Sequence, residues 1–469
     1  MAHPTRPAAA GLWAELRQAL VGSDIDYTAV PLRRAIFLLA VPMILELAME
    51  STFALVDIYF VAQLGASAVA TVGLTETYLF LLYAIGIGLG MGVTAIVARR
   101  VGEQRLHEAS ITAGQSLLLG LLVSLPLAAG GLLFPRQLLA LMGADAWTLE
   151  HGYRYTQWML GTNAVILLLF VGNAIFRGAG AAAIAMRVLW IANGVNILLN
   201  PLLIFGLGPL PGFGVAGSAI ATSIGRGIGV LVLLQALWRG SSPLRVTRAA
   251  LQLHRDELLA ICRTSLGGIG QMIIAMTSWI FLMRLLADIG SAAVAGATIT
   301  VRLMMFTLLP AQGLANAAAT LVGQSLGAGR PDRAEAAVWQ VGRYNMGFLL
   351  LVSLVYWTCS ESLLRLFTSD PAVVAVGAAW LEILSYSYFV YGWWMVSVQA
   401  FNGAGDTRTP TLINLVFFWL LQLPLSWWLA TVQGWNELGV FWGVFLSETA
   451  VGLFTLWLFT RGGWKDVRV

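Results

Sequence analysis

The sequence has little charge and few reactive side chains. Only 11% of its 469 residues are charged, and it contains two cysteines, four histidines and a single lysine. Cys262 and Cys359 lie far apart and neither belongs to a CxxC motif, so metal or redox chemistry is not indicated. No combination of nucleophile, base and orienting residue is evident either, so we predict neither an enzyme nor a cofactor.

Apolar residues make up 58% of the chain and its mean hydropathy is +0.80, which excludes an ordinary soluble protein. A membrane-spanning helix needs roughly 20 apolar residues, and twelve segments are long enough. The fold is therefore predicted to be an all-α polytopic membrane protein. Its predicted spans are 35–63, 68–98, 108–133, 151–179, 182–207, 214–239, 257–287, 291–324, 334–358, 372–402, 409–431 and 437–460.

Basic residues are distributed unequally between the connections. Twelve spans place both termini on one side, and the connections on that side contain 21 basic residues against four on the other. Such an excess marks the cytoplasmic side, so both termini are predicted to be cytoplasmic. The net charge of +4 then follows from topology, and no nucleic-acid partner is predicted.

The chain also repeats itself. Three segments of the first half recur in the second: LGASAVA at 64–70 as IGSAAVA at 289–295, GEQR at 102–105 as GAGR at 327–330, and FRGAG at 176–180 as FNGAG at 401–405. Each pair is 225 residues apart, as 64 is from 289. Because six spans per copy is an even number, we predict two six-helix bundles related by a pseudo-two-fold axis along the membrane normal.

This symmetry predicts a division into five parts. They are a cytoplasmic N-terminal segment (1–34), the first bundle (35–239), a polar cytoplasmic linker with a short surface helix (240–256), the second bundle (257–460) and a cytoplasmic tail (461–469). A short amphipathic helix is predicted near residues 10–20, within the N-terminal segment.

Three carboxylates interrupt the first apolar span. Glu46, Glu50 and Asp57 are separated by four and seven residues, so they lie along one face of a helix. Ionisable residues are costly in a membrane and commonly face an ion or substrate pathway. A purely structural role, in which partners neutralise the carboxylates to hold helices together, is the alternative.

Polar residues of the first half share one depth. Counting inward from the outer end of each span at about 3.6 residues per turn gives the same level for Asp57, Asn196, Asn200 and Thr222. Such a group can hold a proton or supply oxygen ligands to Na⁺. We predict a cation-coupling site here, in which Asp57 is a metal ligand only if Na⁺ is the coupling ion.

Two further groups of charges follow from the same depth argument. Glu50 and Arg226 are predicted to form a charge pair near mid-membrane, either structural or functional, whereas Glu46 lies nearer the cytoplasmic end without an evident partner. A structural role is therefore favoured for Glu46.

In the second half, comparable depths predict a buried network of Arg302, Glu382 and Glu448. Position 282, which corresponds to Asp57 in the repeat, is leucine. Ion coupling is therefore predicted to reside mainly in the first half.

Several motifs give the chain a family resemblance. They are P-x14-D-IYFVAQLG in the first span, VGEQR and VGQSLGAGR after the second and eighth, FRGAG and FNGAGDTRTP after the fourth and tenth, and NILLNPLLIFGLG with GVAGSAIAT in the fifth and sixth. In this order and spacing the sequence resembles the multidrug and toxic compound extrusion (MATE) family, especially its DinF-like branch. The resemblance covers Pro42 to about Gly462.

The resemblance implies a monomeric antiporter of the bacterial cytoplasmic (inner) membrane. By alternating access it would export organic, often cationic, amphipathic compounds in exchange for H⁺ or Na⁺. A flippase for lipid-linked oligosaccharide or another amphipathic lipid is the alternative, expected to have a larger, cation-lined cavity.

The resemblance also implies residue roles. Asp57 matches the family's coupling aspartate, and Pro42 the proline at which the first span bends. The residues predicted to contact substrate are Pro42, Glu50, Phe53, Asn173 and Tyr391. Two positions depart from the family pattern: Asn200 is aspartate in some members, and Glu50 is frequently glutamine.

Overall fold

The computed structural model describes residues 11–22, 25–208 and 210–467. Within these ranges, eleven continuous helices are long and apolar enough to cross a membrane, and two further helices form one bent span. Spans 1 to 12 are, in order, Leu32–Ala62, Ala66–Gly102, Leu106–Leu133, Thr148–Gly178, Ala182–Phe205, Val215–Arg239, Arg255–Ile289, Ser291–Gly327, Pro331–Arg365, Pro371–Ser385 with Tyr388–Ala404, Arg408–Val432 and Asn436–Thr460. The predicted all-α polytopic fold is confirmed.

The remaining elements are short. A surface helix precedes span 1 where one is predicted, and spans 5 and 6 are joined through a two-stranded antiparallel ribbon. The connection between spans 6 and 7 contains one 3₁₀ turn in place of the predicted surface helix. The bounds are Leu12–Val21 for the surface helix, Pro135–Leu141 for a short helix after span 3, Gly206–Leu207 and Leu210–Pro211 for the ribbon, and Ala249–Leu251 and Gly463–Asp466 for 3₁₀ turns.

Spans 1–6 form one lobe and spans 7–12 the other, and the lobes meet through reciprocal contacts. A Cβ added at Gly102 would collide with the carbonyl oxygen of Gln324, and one added at Gly327 would collide with the carbonyl oxygen of Arg99. Gly327 follows Gly102 by 225 residues, and Gln324 follows Arg99 by the same interval. The same contact is thus made twice, as a two-fold axis requires, which confirms the predicted pseudo-symmetry.

These contacts lie at the end of the bundle at which span 1 begins and span 12 ends, here called the terminal face. Residues 25–31, which precede span 1, bind both lobes there. The Tyr27 hydroxyl donates to the Gly180 carbonyl of the first lobe at 3.0 Å, and Arg333 of the second lobe donates to the Tyr27 carbonyl at 2.6 Å. Gln324 also donates across the lobes to the Gly178 carbonyl at 3.0 Å. The terminal face is therefore closed by contacts between the lobes.

The repeated FRGAG and FNGAG motifs form equivalent turns. Gly180 and Gly405 have φ angles of 80° and 93°, a left-handed conformation that glycine adopts without steric cost. The chain can therefore turn sharply from span 4 into span 5, and from span 10 into span 11.

Span 10 differs from the single helix predicted over 372–402. Its two helices, Pro371–Ser385 and Tyr388–Ala404, are bent by 62° relative to each other. Immediately after the break, the Tyr388 hydroxyl lies 2.9 Å from the Thr307 hydroxyl of span 8. No proline lies at the break, so the local sequence contains no strong helix-breaking signal.

Closure of the terminal face should depend on the absence of a side chain at Gly102. Gly102→Ala is expected to separate the lobes there, because its Cβ would meet backbone that cannot move independently. The test uses protein in which both native cysteines are replaced (Cys262→Ser/Cys359→Ser) and a cysteine is placed at Ser325, a buried position on this face. We expect a membrane-impermeant maleimide to label this cysteine several-fold faster with Gly102→Ala than without it.

Gly73→Ala is the matched control, because a Cβ at this span 2 position would meet no atom within 4 Å. Equal labelling rates in the Gly102→Ala and Gly73→Ala proteins would contradict the role given to this contact.

Candidate functional site

Asp57 lies where spans 1, 5 and 6 meet. Its Oδ1 accepts hydrogen bonds from Asn200 Nδ2 and Ser218 Oγ, both at 2.7 Å. Asn200 and Ser218 are buried, whereas Asp57 is partly exposed. Its second oxygen, Oδ2, has no hydrogen-bond partner among the described residues, so the carboxylate is held by one oxygen and can bind a proton or cation with the other.

Asn196 and Thr222 form a second polar pair beside this one. Asn196 Nδ2 donates to Thr222 Oγ1 at 2.8 Å. Each residue lies four positions from a partner of Asp57 on the same helix, because 196 precedes 200 and 222 follows 218. The predicted group of four is therefore divided into two adjacent pairs, Asp57 with Asn200 and Asn196 with Thr222. Of the three predicted partners, only Asn200 binds Asp57 directly.

The predicted charge pair between Glu50 and Arg226 is confirmed as a contact. Arg226 Nη2 lies 3.0 Å from Glu50 Oε1, and Asn193 Nδ2 donates to the other oxygen of Glu50 at 2.9 Å. The guanidinium carbon also lies 5.7 Å from the centre of the Phe53 ring. Arg226 is only 4% exposed, so the pair removes it almost completely from solvent.

Glu46 has a partner as well, so its expected isolation was wrong. Glu46 Oε1 accepts from Arg177 Nη1 at 2.7 Å and from Asn173 Nδ2 at 3.3 Å. The side chain is 3% exposed. Arg177 lies in the last turn of span 4, from which its side chain reaches the Glu46 carboxylate of span 1.

A cavity of about 340 Å³ lies between the lobes and brings these pairs together. From the first lobe it is lined by both ion pairs and Asn173, together with apolar residues of spans 2 and 4. The polar residues that line it from the second lobe are uncharged amides: Gln271, Gln312, Asn316, Gln399 and Asn402. Its size is at the lower end of the range for drug-sized ligands.

The predicted substrate-contacting residues divide into two groups. Glu50 and Asn173 line this cavity, but Pro42, Phe53 and Tyr391 do not. Phe53 lies beneath Arg226. Tyr391 packs behind the cavity wall, with its ring 4.8 Å from that of Trp394.

Pro42 is buried within span 1, which continues as a helix on both sides of it. A proline leaves the carbonyl four residues earlier without its helical partner. That is the local weakness expected of a bending point, although the structure contains no break at Pro42.

The second buried network predicted from depth does not form. Arg302 and Glu382 are both exposed, and Glu382 accepts a hydrogen bond from Ser360 at 2.8 Å. No ion pair connects Arg302, Glu382 and Glu448 in the described part of the chain. Depth alone does not fix the direction in which a side chain points around its helix.

The internal repeat is also visible in comparison with known proteins. The MatE family profile matches this chain over residues 42–202 and again over 266–428, once in each lobe. The chain belongs to the MATE family. As members of this family are transporters, the chain is a multi-pass membrane transporter and not an enzyme.

This MATE chain has relatives along most of its length. It is 27% identical over 404 residues to an FAD transporter of Shewanella oneidensis, covering 85% of this chain and 88% of the relative. It is 26% identical over 443 residues to the probable multidrug resistance protein YoeA of Bacillus subtilis, covering 93% and 95%. Its fold matches that of an outward-facing multidrug resistance MATE transporter with a TM-score of 0.88 at 23% identity, covering 95% and 99%.

Sequence reasoning missed several polar residues of this MATE site. Ser218 could have been found from its four-residue spacing to Thr222, which mirrors that between Asn196 and Asn200. The amides of the second lobe each interrupt an apolar run, but amides are common at helix contacts in membranes. Their convergence on one cavity depends on helix rotation, which the apolar pattern does not define.

Proposed function

We propose that this protein is a secondary active antiporter that exports amphipathic organic compounds in exchange for H⁺ or Na⁺. The observation that carries the proposal is Asp57, whose Oδ1 is held by Asn200 and Ser218 while its Oδ2 is free to take an ion. The multidrug resistance and FAD transporter names of its relatives support small organic substrates. The excess of basic residues supports a cytoplasmic terminal face, and the bacterial origin of the relatives supports a bacterial cytoplasmic (inner) membrane.

Span 1 is the physical connection proposed between ion and substrate. Asp57 binds the ion, and Glu50 and Glu46 line the cavity seven and eleven residues earlier on the same helix. At about 1.5 Å per residue these distances are roughly 10 and 16 Å. An ion that changes the bonds of Asp57 to spans 5 and 6 therefore acts on the helix that forms one wall of the cavity.

Alternation between the two sides is proposed to break the contacts of the terminal face. These contacts consist of a few hydrogen bonds and close glycine–backbone approaches, and the approaches at Gly102 and Gly327 are related by the pseudo-two-fold axis. The lobes can therefore separate there by a rigid-body rotation, with the cavity at their interface.

The alternative flippase function is not favoured by this cavity. A flippase for lipid-linked sugars was expected to need a large cavity lined by cations, whereas this one is about 340 Å³ and pairs each of its arginines with a carboxylate. A lipid translocation assay on the same protein distinguishes the two functions.

Dye transport by purified protein in liposomes tests the proposal. A pH gradient and a Na⁺ gradient are imposed separately, with protein-free liposomes as control. We expect one of the two gradients, and not a K⁺ gradient of equal size, to drive dye accumulation. If neither the pH gradient nor the Na⁺ gradient changes the accumulation of dye, antiport is contradicted.

A further inference from the structure

The charged residues of the cavity all belong to one lobe. Glu46 is paired with Arg177 at 2.7 Å and Glu50 with Arg226 at 3.0 Å. The second lobe contributes only uncharged side chains to the lining. With these four residues ionised, the cavity has no net charge and no carboxylate without a basic partner.

The repeat shows that the opposite wall is a neutral counterpart of the charged one. Gln271 follows Glu46 by 225 residues, and Asn402 follows Arg177 by the same interval. All four residues line the cavity. At these two-fold-related positions the first lobe has a glutamate and an arginine, and the second lobe has a glutamine and an asparagine.

Four of the five amides of this wall are connected to one another. Asn402 donates to Gln399 at 3.4 Å, and Gln399 and Gln312 both donate to Asn316 Oδ1, at 3.2 and 2.9 Å. The side-chain oxygens of Gln271 and Asn402 have no hydrogen-bond partner among the described residues. Since buried polar groups are normally paired, this wall has hydrogen-bonding capacity to offer a ligand but no charge.

We propose that the cavity selects amphipathic aromatic compounds with no net charge, neutral or zwitterionic, over permanent organic cations. The inference rests on the proposed function, because it takes this cavity as the export site. A permanent cation would have to compete with Arg177 or Arg226 for a carboxylate or remain uncompensated, and either is costly in a site whose charged residues are largely buried. A zwitterion or a neutral donor can bind the amides and stack on Trp394 and Phe170, which also line the cavity.

Two rhodamines test this selection at equilibrium, without an ion gradient. One carries a free carboxylate and is zwitterionic at neutral pH, and the other is its ethyl ester, a cation with the same ring system. Binding to the purified full-length protein is measured by fluorescence anisotropy. We expect the zwitterion to bind at least about tenfold more tightly, the scale of one uncompensated charge in such a site. Equal or tighter binding of the ester would overturn the proposal.

Gln271→Glu provides an isosteric test of the cause. It adds one carboxylate at the position equivalent to Glu46, so the preference should shift towards the ester by about tenfold. Gln271→Asn keeps an uncharged amide at this position, and the ratio of the two affinities should remain as in the wild type. An unchanged ratio in Gln271→Glu would refute charge balance as the basis of selection.

The outcome separates this inference from the proposed function. Selective binding of the zwitterion without gradient-driven transport would leave the inference intact and contradict the antiport. Gradient-driven transport together with tighter binding of the ester would support the antiport and contradict the inference.

Discussion

Asp57→Asn is expected to abolish gradient-driven transport while leaving the protein folded. The amide has nearly the shape of the carboxylate and can still bond to Asn200 and Ser218, but it can neither take up a proton near neutral pH nor attract a cation. Transport in liposomes should fall to the rate of protein-free vesicles. Elution as a single, monodisperse species in size-exclusion chromatography confirms that the variant is folded.

Ser218→Ala is the matched control for this variant. It removes one of the two hydrogen bonds to Asp57 Oδ1 but keeps the carboxylate. A hydrogen bond to a charged group contributes about 1.5–3 kcal/mol, which is a change of roughly ten- to 150-fold in ion affinity. Driven transport should persist because the carboxylate remains. Wild-type rates in Asp57→Asn would exclude Asp57 as the coupling residue.

Arg177→Gln is expected to cause the largest loss of stability of the site substitutions considered. It leaves the Glu46 carboxylate, which is 3% exposed, with only the hydrogen bond from Asn173. Removal of one partner from a buried ion pair costs about 3–5 kcal/mol. The melting temperature of the detergent-solubilised protein should therefore fall clearly below that of the wild type.

Two further variants identify the cause of that loss. Arg187→Gln removes an exposed arginine of span 5 that, among the described residues, donates only to the Ala183 carbonyl, and it should have little effect. The double substitution Glu46→Gln/Arg177→Gln leaves no unpaired charge and should recover most of the lost stability. A double variant as unstable as Arg177→Gln alone would show that the arginine acts through packing and not through its charge.

The sequence predicts the fold well because three independent signals agree. Apolar length marks the spans, basic residues mark one side, and the 225-residue interval defines the two lobes. The reciprocal contacts of Gly102 and Gly327 then follow from that same interval. The break in span 10 escapes prediction because Tyr386 and Ser387 are compatible with a helix and the contact of Tyr388 with span 8 is a tertiary one.

The candidate site is less predictable than the fold. Depth correctly relates Asp57 to Asn200 and Glu50 to Arg226, because opposite or complementary groups at one level of a bundle tend to meet. It fails for Glu46, which depth leaves without a partner, because Arg177 in the last turn of span 4 turns inward and pairs with it. It also fails for Arg302, which is predicted to join a buried network. The side chain is exposed because of the way its helix is rotated.

The proposed exchange of one ion at Asp57 for a substrate without net charge has an energetic consequence. Exchange of one monovalent ion for a substrate without net charge moves one charge across the membrane, so the membrane potential contributes to export. A potential of 100 mV supplies about 2.3 kcal/mol for each charge moved. This corresponds to roughly fifty-fold accumulation of the substrate at equilibrium.

The most direct test of ion coupling through Asp57 is the steady-state ratio of internal to external zwitterionic dye in liposomes, measured for wild type and Asp57→Asn in parallel. The wild-type ratio should exceed one under a pH or Na⁺ gradient and return to one when an ionophore collapses that gradient. The Asp57→Asn ratio should remain at one throughout. A wild-type ratio that ignores both gradients, or an Asp57→Asn ratio that follows them, would contradict the mechanism.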